Sequence, residues 1–211
     1  MTKESEQIIS VKGFLLKILI WLPITFVVWY FLTPVILFVL SFLAKATLTL
    51  VAGQAVVDVN VYEHVLHIVT PFAAEKTNDV NQGQLVFAIN AMKYGYGIAL
   101  FIAMLLATPD KLGNKLQNLY IGILILLIVQ VWGITFDTLQ TLVFKLGMGI
   151  AETLNTTAFT RELIALGYQM GYLILPAVTP VLMWFVMYQN HLEKMAPKFA
   201  KIKKPKKKPS N

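Results

Sequence analysis

The sequence predicts an all-α integral membrane protein of four transmembrane helices, carrying a small extracytoplasmic β-hairpin and an amphipathic interfacial helix. Three observations point there. Four apolar stretches, Leu15–Leu43, Asn90–Thr108, Leu119–Phe136 and Leu163–Tyr188, approach or exceed the roughly 20 residues a helix needs to cross about 30 Å of hydrocarbon. Of the 211 residues, 57% are hydrophobic and only 14% are charged, a balance suited to a chain solvated by lipid. The basic residues are also sorted. Thirteen of the eighteen lie in the N-terminal segment, in Pro109–Asn118 and after Asn190, counting Lys17 just inside the first stretch.

The other five are Lys45, Lys76, Lys93, Lys145 and Arg161. Loops rich in lysine and arginine stay in the cytoplasm, so both termini are predicted cytoplasmic, with loops 44–89 and 137–162 facing outward. An even number of crossings agrees with that. The chain then reads as one membrane domain over residues 1–190 and a basic cytoplasmic tail over 191–211.

Within the first stretch, Ile18–Leu43 would be about 40 Å long as a helix, so it must tilt, kink at Pro23 or Pro34, or project beyond the bilayer. Ala44-Lys45-Ala46 has the small-x-small form of a signal cleavage site. The apolar run before it is too long for a signal peptide, whose core covers about 7–15 residues.

Loop 44–89 reads partly as β. Val57, Val59 and Val61 alternate with Asp58, Asn60 and Tyr62, and after a break at Glu63 and His64 the β-branched residues continue to Thr70-Pro71. A second alternation, Leu85, Phe87 and Ile89, follows EKTNDVNQGQ. The two runs predict a long hairpin or small sheet, which needs the helices, the membrane surface or a partner to pack on.

Loop 137–162 reads differently. Leu139, Leu142, Val143, Leu146 and Ile150 recur at helical spacing after Asp137, predicting an amphipathic helix in the interface that ends near Gly147 or Gly149. Thr160 is the expected N-cap of the last span. In the tail, KFAKIKKPKKKPSN holds seven lysines in fourteen residues with two prolines, a composition for a disordered arm drawn to anionic headgroups at about 1 kcal/mol per lysine. Its place directly after a span favours a topological anchor over nucleic-acid binding.

The chemistry-bearing residues are few. With no cysteine there is no thiol nucleophile, disulfide or thiolate metal site. His64 and His67 fall on opposite faces of a strand, so they do not form a metal pair. Asp137 closes the third span while Arg161 and Glu162 open the fourth, forming an outer-boundary polar cluster that reads as a structural pair or a substrate contact. Gln130 and Gln169, accompanied by Trp132, Tyr168 and Tyr172, read as interhelical hydrogen bonds or the lining of a polar pocket. Gly167 and Gly171 form a GxxxG face for helix packing, and Tyr94-Gly95-Tyr96-Gly97 reads as an interfacial aromatic anchor. HExxH, GxSxG and Walker motifs are absent, as are paired intramembrane aspartates, so no catalytic, cofactor or metal residue is predicted.

Four segments together resemble the bacterial exosortase H-associated membrane proteins. They are WLPITFVVWY with the following Pro34, YGYGIALFIAMLLATP, QVWGITFDTLQTLVF, and above all RELIALGYQMGYLILPAVTPVLMW. The resemblance implies a multi-pass protein of the bacterial inner membrane that associates with exosortase H, an enzyme acting on C-terminal signals made of a short motif, a transmembrane helix and basic residues. Exosortases use a cysteine nucleophile, which this chain lacks. The expectation is therefore a non-catalytic accessory protein whose partners are the bilayer, the sortase and its sorting-signal substrates. Two alternatives remain at this point: a membrane enzyme or lipid-handling protein using the Asp137, Arg161 and Glu162 cluster, and a small carrier with a polar path past Gln130 and Gln169.

Overall fold

A computed structural model describes residues 11–73, 84–146, 150–151, 154, 156–189 and 192. The basic tail after residue 192, Gly147, Gly149 and the EKTNDV segment lie outside the described residues. The first helix, α1, covers Val11–Ala52 without interruption, so its 42 residues extend for about 63 Å. It continues through both Pro23 and Pro34. Beside them, the hydroxyls of Thr25 and Thr33 donate to the carbonyls of Leu22 and Trp29 at 2.9 and 3.0 Å.

After a 3₁₀ turn, Gly53–Ala55, the chain reverses into three strands: β1 (Asp58–Tyr62), β2 (Val65–Ala73) and β3 (Gln84–Ile89). The sheet is antiparallel in the order β1-β2-β3, with Val59 opposite Ile68, Ile68 opposite Phe87 and Leu66 opposite Ile89. The expected hairpin is thus only part of the element. Glu63 and His64 make a two-residue turn, with Glu63 at φ 53° and therefore in the left-handed region. Glu63 and His64 are the break that the valine alternation marked.

One face of this sheet, built from Val59, Leu66, Ile68 and Ile89, is buried against the α1 stripe Leu37, Leu40, Ala44, Leu48 and Ala52. Two contacts fix its direction. Lys45 pairs with Asp58 at 2.8 Å, and the His64 ring stacks on Tyr30 at 5.7 Å. Tyr30 to Lys45 is about 22 Å of helix and Asp58 to His64 about 20 Å of strand, so β1 runs back along α1. The Lys45 ammonium, then the Val59 N–H, hydrogen-bond the Asp58 carboxylate and hold it below the usual carboxylate range. Both partners of that pair are partly exposed, so it guides register more than it stabilises.

Another 3₁₀ turn, Ala91–Tyr94, capped by the Asn90 side chain accepting from the Met92 N–H at 3.0 Å, leads into α2 (Tyr96–Ala107). At 12 residues α2 is shorter than the predicted second span. Next, α3 (Leu112–Gln140) passes straight through Asp137 and closes in a π-turn, Thr141–Lys145. This corrects the expected interfacial helix. No breaker stands between Phe136 and Lys145, so Leu139, Leu142 and Val143 continue the phase of α3 and are buried in protein rather than in the bilayer interface.

The cap of the last helix lies three residues before the expected one: it is Thr157, whose hydroxyl accepts from the Thr160 N–H at 3.2 Å. It runs as α4 (Ala158–Gln169), widens in a π-turn over Met170–Ile174 and resumes as α5 (Leu175–Met187). Pro176 accounts for the widening, since its ring would otherwise collide with the carbonyl one turn earlier.

Among the described residues, three helical segments are long and apolar enough to cross a membrane: Val11–Ala55, Leu112–Lys145 and Ala158–Met187, of 45, 34 and 30 residues. Their ends are level on one side. Phe14 stacks on Trp184 at 4.6 Å, and the Trp184 indole donates to the Thr108 hydroxyl at 2.8 Å. The start of α1 and the ends of α2 and α5 therefore share this near end. Two cores follow from the layout. One, around Phe14, Phe101, Leu105, Leu126 and Trp184, fills the near-end bundle, while the other, around Leu40, Leu48, Leu66, Ile68 and Leu142, joins the sheet to the far halves of α1 and α3.

Candidate functional site

The two cores meet at a polar junction. The turn Ala91–Tyr94 carries Lys93 from the end of β3 to the flank of α3, where its Nζ lies 2.8 Å from the Asp137 Oδ2. The Asp137 side chain is 3% exposed and that of Lys93 is 29% exposed. A carboxylate so withdrawn from solvent is tolerated because it is paired. Three tyrosine rings complete the enclosure, with the Lys93 ammonium 5.1 Å from the centroid of Tyr94, 5.6 Å from Tyr168 and 5.8 Å from Tyr172. Tyr168 and Tyr172 stack in parallel one turn apart. The Tyr94 phenol is turned toward the same carboxylate without closing a hydrogen bond of standard geometry.

Below this junction the helices touch through glycine. Gly171 faces the backbone of Gly133, so that a Cβ on it would lie 3.0 Å from the Gly133 Cα; a Cβ on Gly167 would overlap the Phe136 ring. The indole of Trp132 spans the same contact, donating to the Gly167 carbonyl at 3.1 Å. The GxxxG pair therefore lies against α3. The neighbouring Gly133 accommodates the Tyr94 ring, which a side chain there would overlap.

The predicted polar residues separate in space. Gln130 is buried, its amide oxygen close against Gly95, which Trp29 also crowds, whereas Gln169 is exposed on α4. They do not face each other, which counts against a carrier path. Arg161 and Glu162 are also exposed, and the Arg161 Nε donates to the Thr156 hydroxyl at 3.3 Å. Asp137 instead points to Lys93. The expected three-residue cluster does not converge on one pocket, which removes the geometric support for the lipid-handling reading. His64 and His67 are both engaged with rings, His64 with Tyr30 and His67 edge-on with Tyr62.

By sequence alone, Lys93 reads only as one of the five basic residues on the predicted outward side. A signal was available: it is the only charged residue between Asp79 and Asp110, and Asp137 is the only acidic one between Asp110 and Glu152. Two isolated opposite charges beside long apolar runs are each other's natural partners.

Comparison with known families decides what this architecture belongs to. The model for exosortase H-associated membrane proteins matches residues 8–191, from the start of α1 to beyond the end of α5. The chain belongs to the exosortase H-associated membrane protein family. No curated protein and no solved structure matches it. For this exosortase H-associated protein the match takes in both cores and the Lys93–Asp137 junction, while most of the lysine-rich tail lies beyond it.

Proposed function

We propose that this chain is a non-catalytic accessory protein of an exosortase-type sorting system, crossing the bacterial inner membrane four times with both termini cytoplasmic. Family membership supports the association. The rest is supported by the length of the three long helices, which at 45, 34 and 30 residues all exceed the roughly 20 needed for a crossing and, with their near ends level, would all overrun the bilayer at the end where the sheet packs. Counting about 20 residues of hydrocarbon from the level of Phe14, Thr108 and Trp184, α1 leaves the membrane near Pro34, α3 near Trp132 and the last helix near Ile164.

The fourth crossing is Ala91–Ala107, in which the 3₁₀ turn adds about 8 Å to the 18 Å of α2. Lys93 and Asp137 then lie at the outer boundary of the hydrocarbon. Beyond it, about 27 Å of α1, the three strands, the end of α3 and the first turns of α4 form an outward subdomain. This subdomain is the element that docks with the sortase or its membrane-anchored substrates. Phe38 and Phe42, 62% and 63% exposed above the bilayer, and the exposed Arg161 and Glu162 are its contact residues. Asp137 holds the subdomain to the bundle and is not itself a contact.

The test is the C-terminal state of a sorting-signal protein, read by mass spectrometry in a strain deleted for this chain. Cleavage is expected to be lost on deletion, restored by the intact chain, and not restored by one carrying Arg161→Ala and Glu162→Ala. Normal cleavage in the deleted strain would overturn the accessory role in processing; full restoration by the double variant would remove Arg161 and Glu162 from the contact surface.

A further inference from the structure

The β1–β2 turn reaches lower than the rest of the sheet. His64 stacks on Tyr30, and Tyr30 is about 24 Å along α1 from Phe14, just inside the outer limit of a 30 Å hydrocarbon layer. The helix surface around it is apolar and open: Val27, Val28 and Phe31 are 56%, 49% and 75% exposed. At the same end of the sheet the tip residues Val61 and Tyr62 are 38% and 64% exposed, with Tyr62 set edge-on to His67. The opposite end of the sheet lies higher, since Asp58 is level with Lys45. A tip that carries aromatic rings with polar heads at the hydrocarbon boundary has the composition the headgroup layer favours.

We propose that the β1–β2 tip, Tyr62 to His64, is an interfacial anchor seated in the outer headgroup layer, locked to α1 by the Tyr30–His64 stack. Its occupant is the lipid surface. Tyr62 enters the headgroup–acyl boundary, Glu63 and His64 meet the headgroups, and the sheet rises from there along α1. The anchor gives the outward subdomain a second attachment to the membrane besides its helices. The inference rests on the crossing arrangement proposed above.

The absence of native cysteine makes the depth directly measurable. Spin labels are placed on the full chain by Tyr62→Cys, Asn60→Cys, Leu19→Cys and Leu50→Cys, one at a time, in phosphatidylcholine–phosphatidylglycerol vesicles. Collision with oxygen and with a water-soluble nickel chelate reads the depth. Leu19 and Leu50 are 65% and 86% exposed to their surroundings and serve as references for lipid and water.

The expected order of nickel accessibility is Leu50 highest, then Asn60, then Tyr62, then Leu19, with Tyr62 several-fold below Leu50. Adding Tyr30→Ala is expected to raise the Tyr62 value toward that of Leu50. Equal accessibility of Tyr62 and Leu50, with Leu19 shielded, overturns the anchor and leaves the crossings intact. A Leu19 label open to the chelate overturns the crossing arrangement and the anchor with it. A Tyr62 value unmoved by Tyr30→Ala overturns the lock.

Discussion

Lys93→Ala is expected to destabilise the protein by about 3 kcal/mol, near the lower end of the range for removing one partner of a buried ion pair. The Asp137 side chain is 3% exposed and would lose its cation, while the tyrosine rings around it offer no replacement charge. The partial exposure of Lys93 places the cost at the low end of the range. Replacing both members, Lys93→Met with Asp137→Leu, should recover most of the loss, because the carboxylate that needs a partner is then gone. Thermal unfolding in detergent, followed by tryptophan fluorescence, compares the two. A single variant as stable as the parent would show that Asp137 finds solvent or another donor, and the junction would lose its role in holding the two cores together.

Gly133→Leu is the second large effect, with a different cause. Gly133 is the point where three elements meet: the Tyr94 ring lies over it from the turn before α2, and Gly171 approaches its Cα from the last helix. Any side chain must displace the ring or part the helices, and overpacking of this kind costs about 1–3 kcal/mol. Because Tyr94 adjoins Lys93, the displacement should also loosen the ion pair. The same unfolding measurement reads the loss, and Gly113→Leu is the control, since nothing lies near a Cβ there. Equal stability of the two variants would mean that the helices are not in contact at Gly133.

Much of the architecture was legible because lipid and water impose a coarse filter on sequence. The long apolar runs of α1, α3 and the last helix are readable from composition alone. The valine alternation located β1 and β2, and the break at Glu63 and His64 proved to be their turn. What failed to read were boundaries. Asp137 looked like the end of a helix because an isolated carboxylate is costly at membrane depth, yet its partner was 44 residues away in sequence and could be found only by asking where Lys93 goes. The α3 extension reads as an interfacial helix for a different reason: an amphipathic pattern does not say whether its apolar side meets lipid or protein. The GxxxG spacing of Gly167 and Gly171 is readable from sequence, but the surface facing it, Gly133 with Phe136, depends on tertiary packing.

The uninterrupted course of α1 from Phe14 to Ala52 has a mechanical meaning. A subdomain carried on a loop would sample many distances and headings relative to the bundle; one carried on a single rod has one distance and one compass bearing. Each residue of helix contributes about 1.5 Å and 100°. Adding one residue between Trp29 and Leu37 would turn the upper stripe of α1 by that angle relative to the bundle below. The sheet would then be carried away from α3, and Lys93 away from Asp137. The length of α1 thus works as a gauge, setting how far from the near-end bundle, and facing which way, the sheet is held.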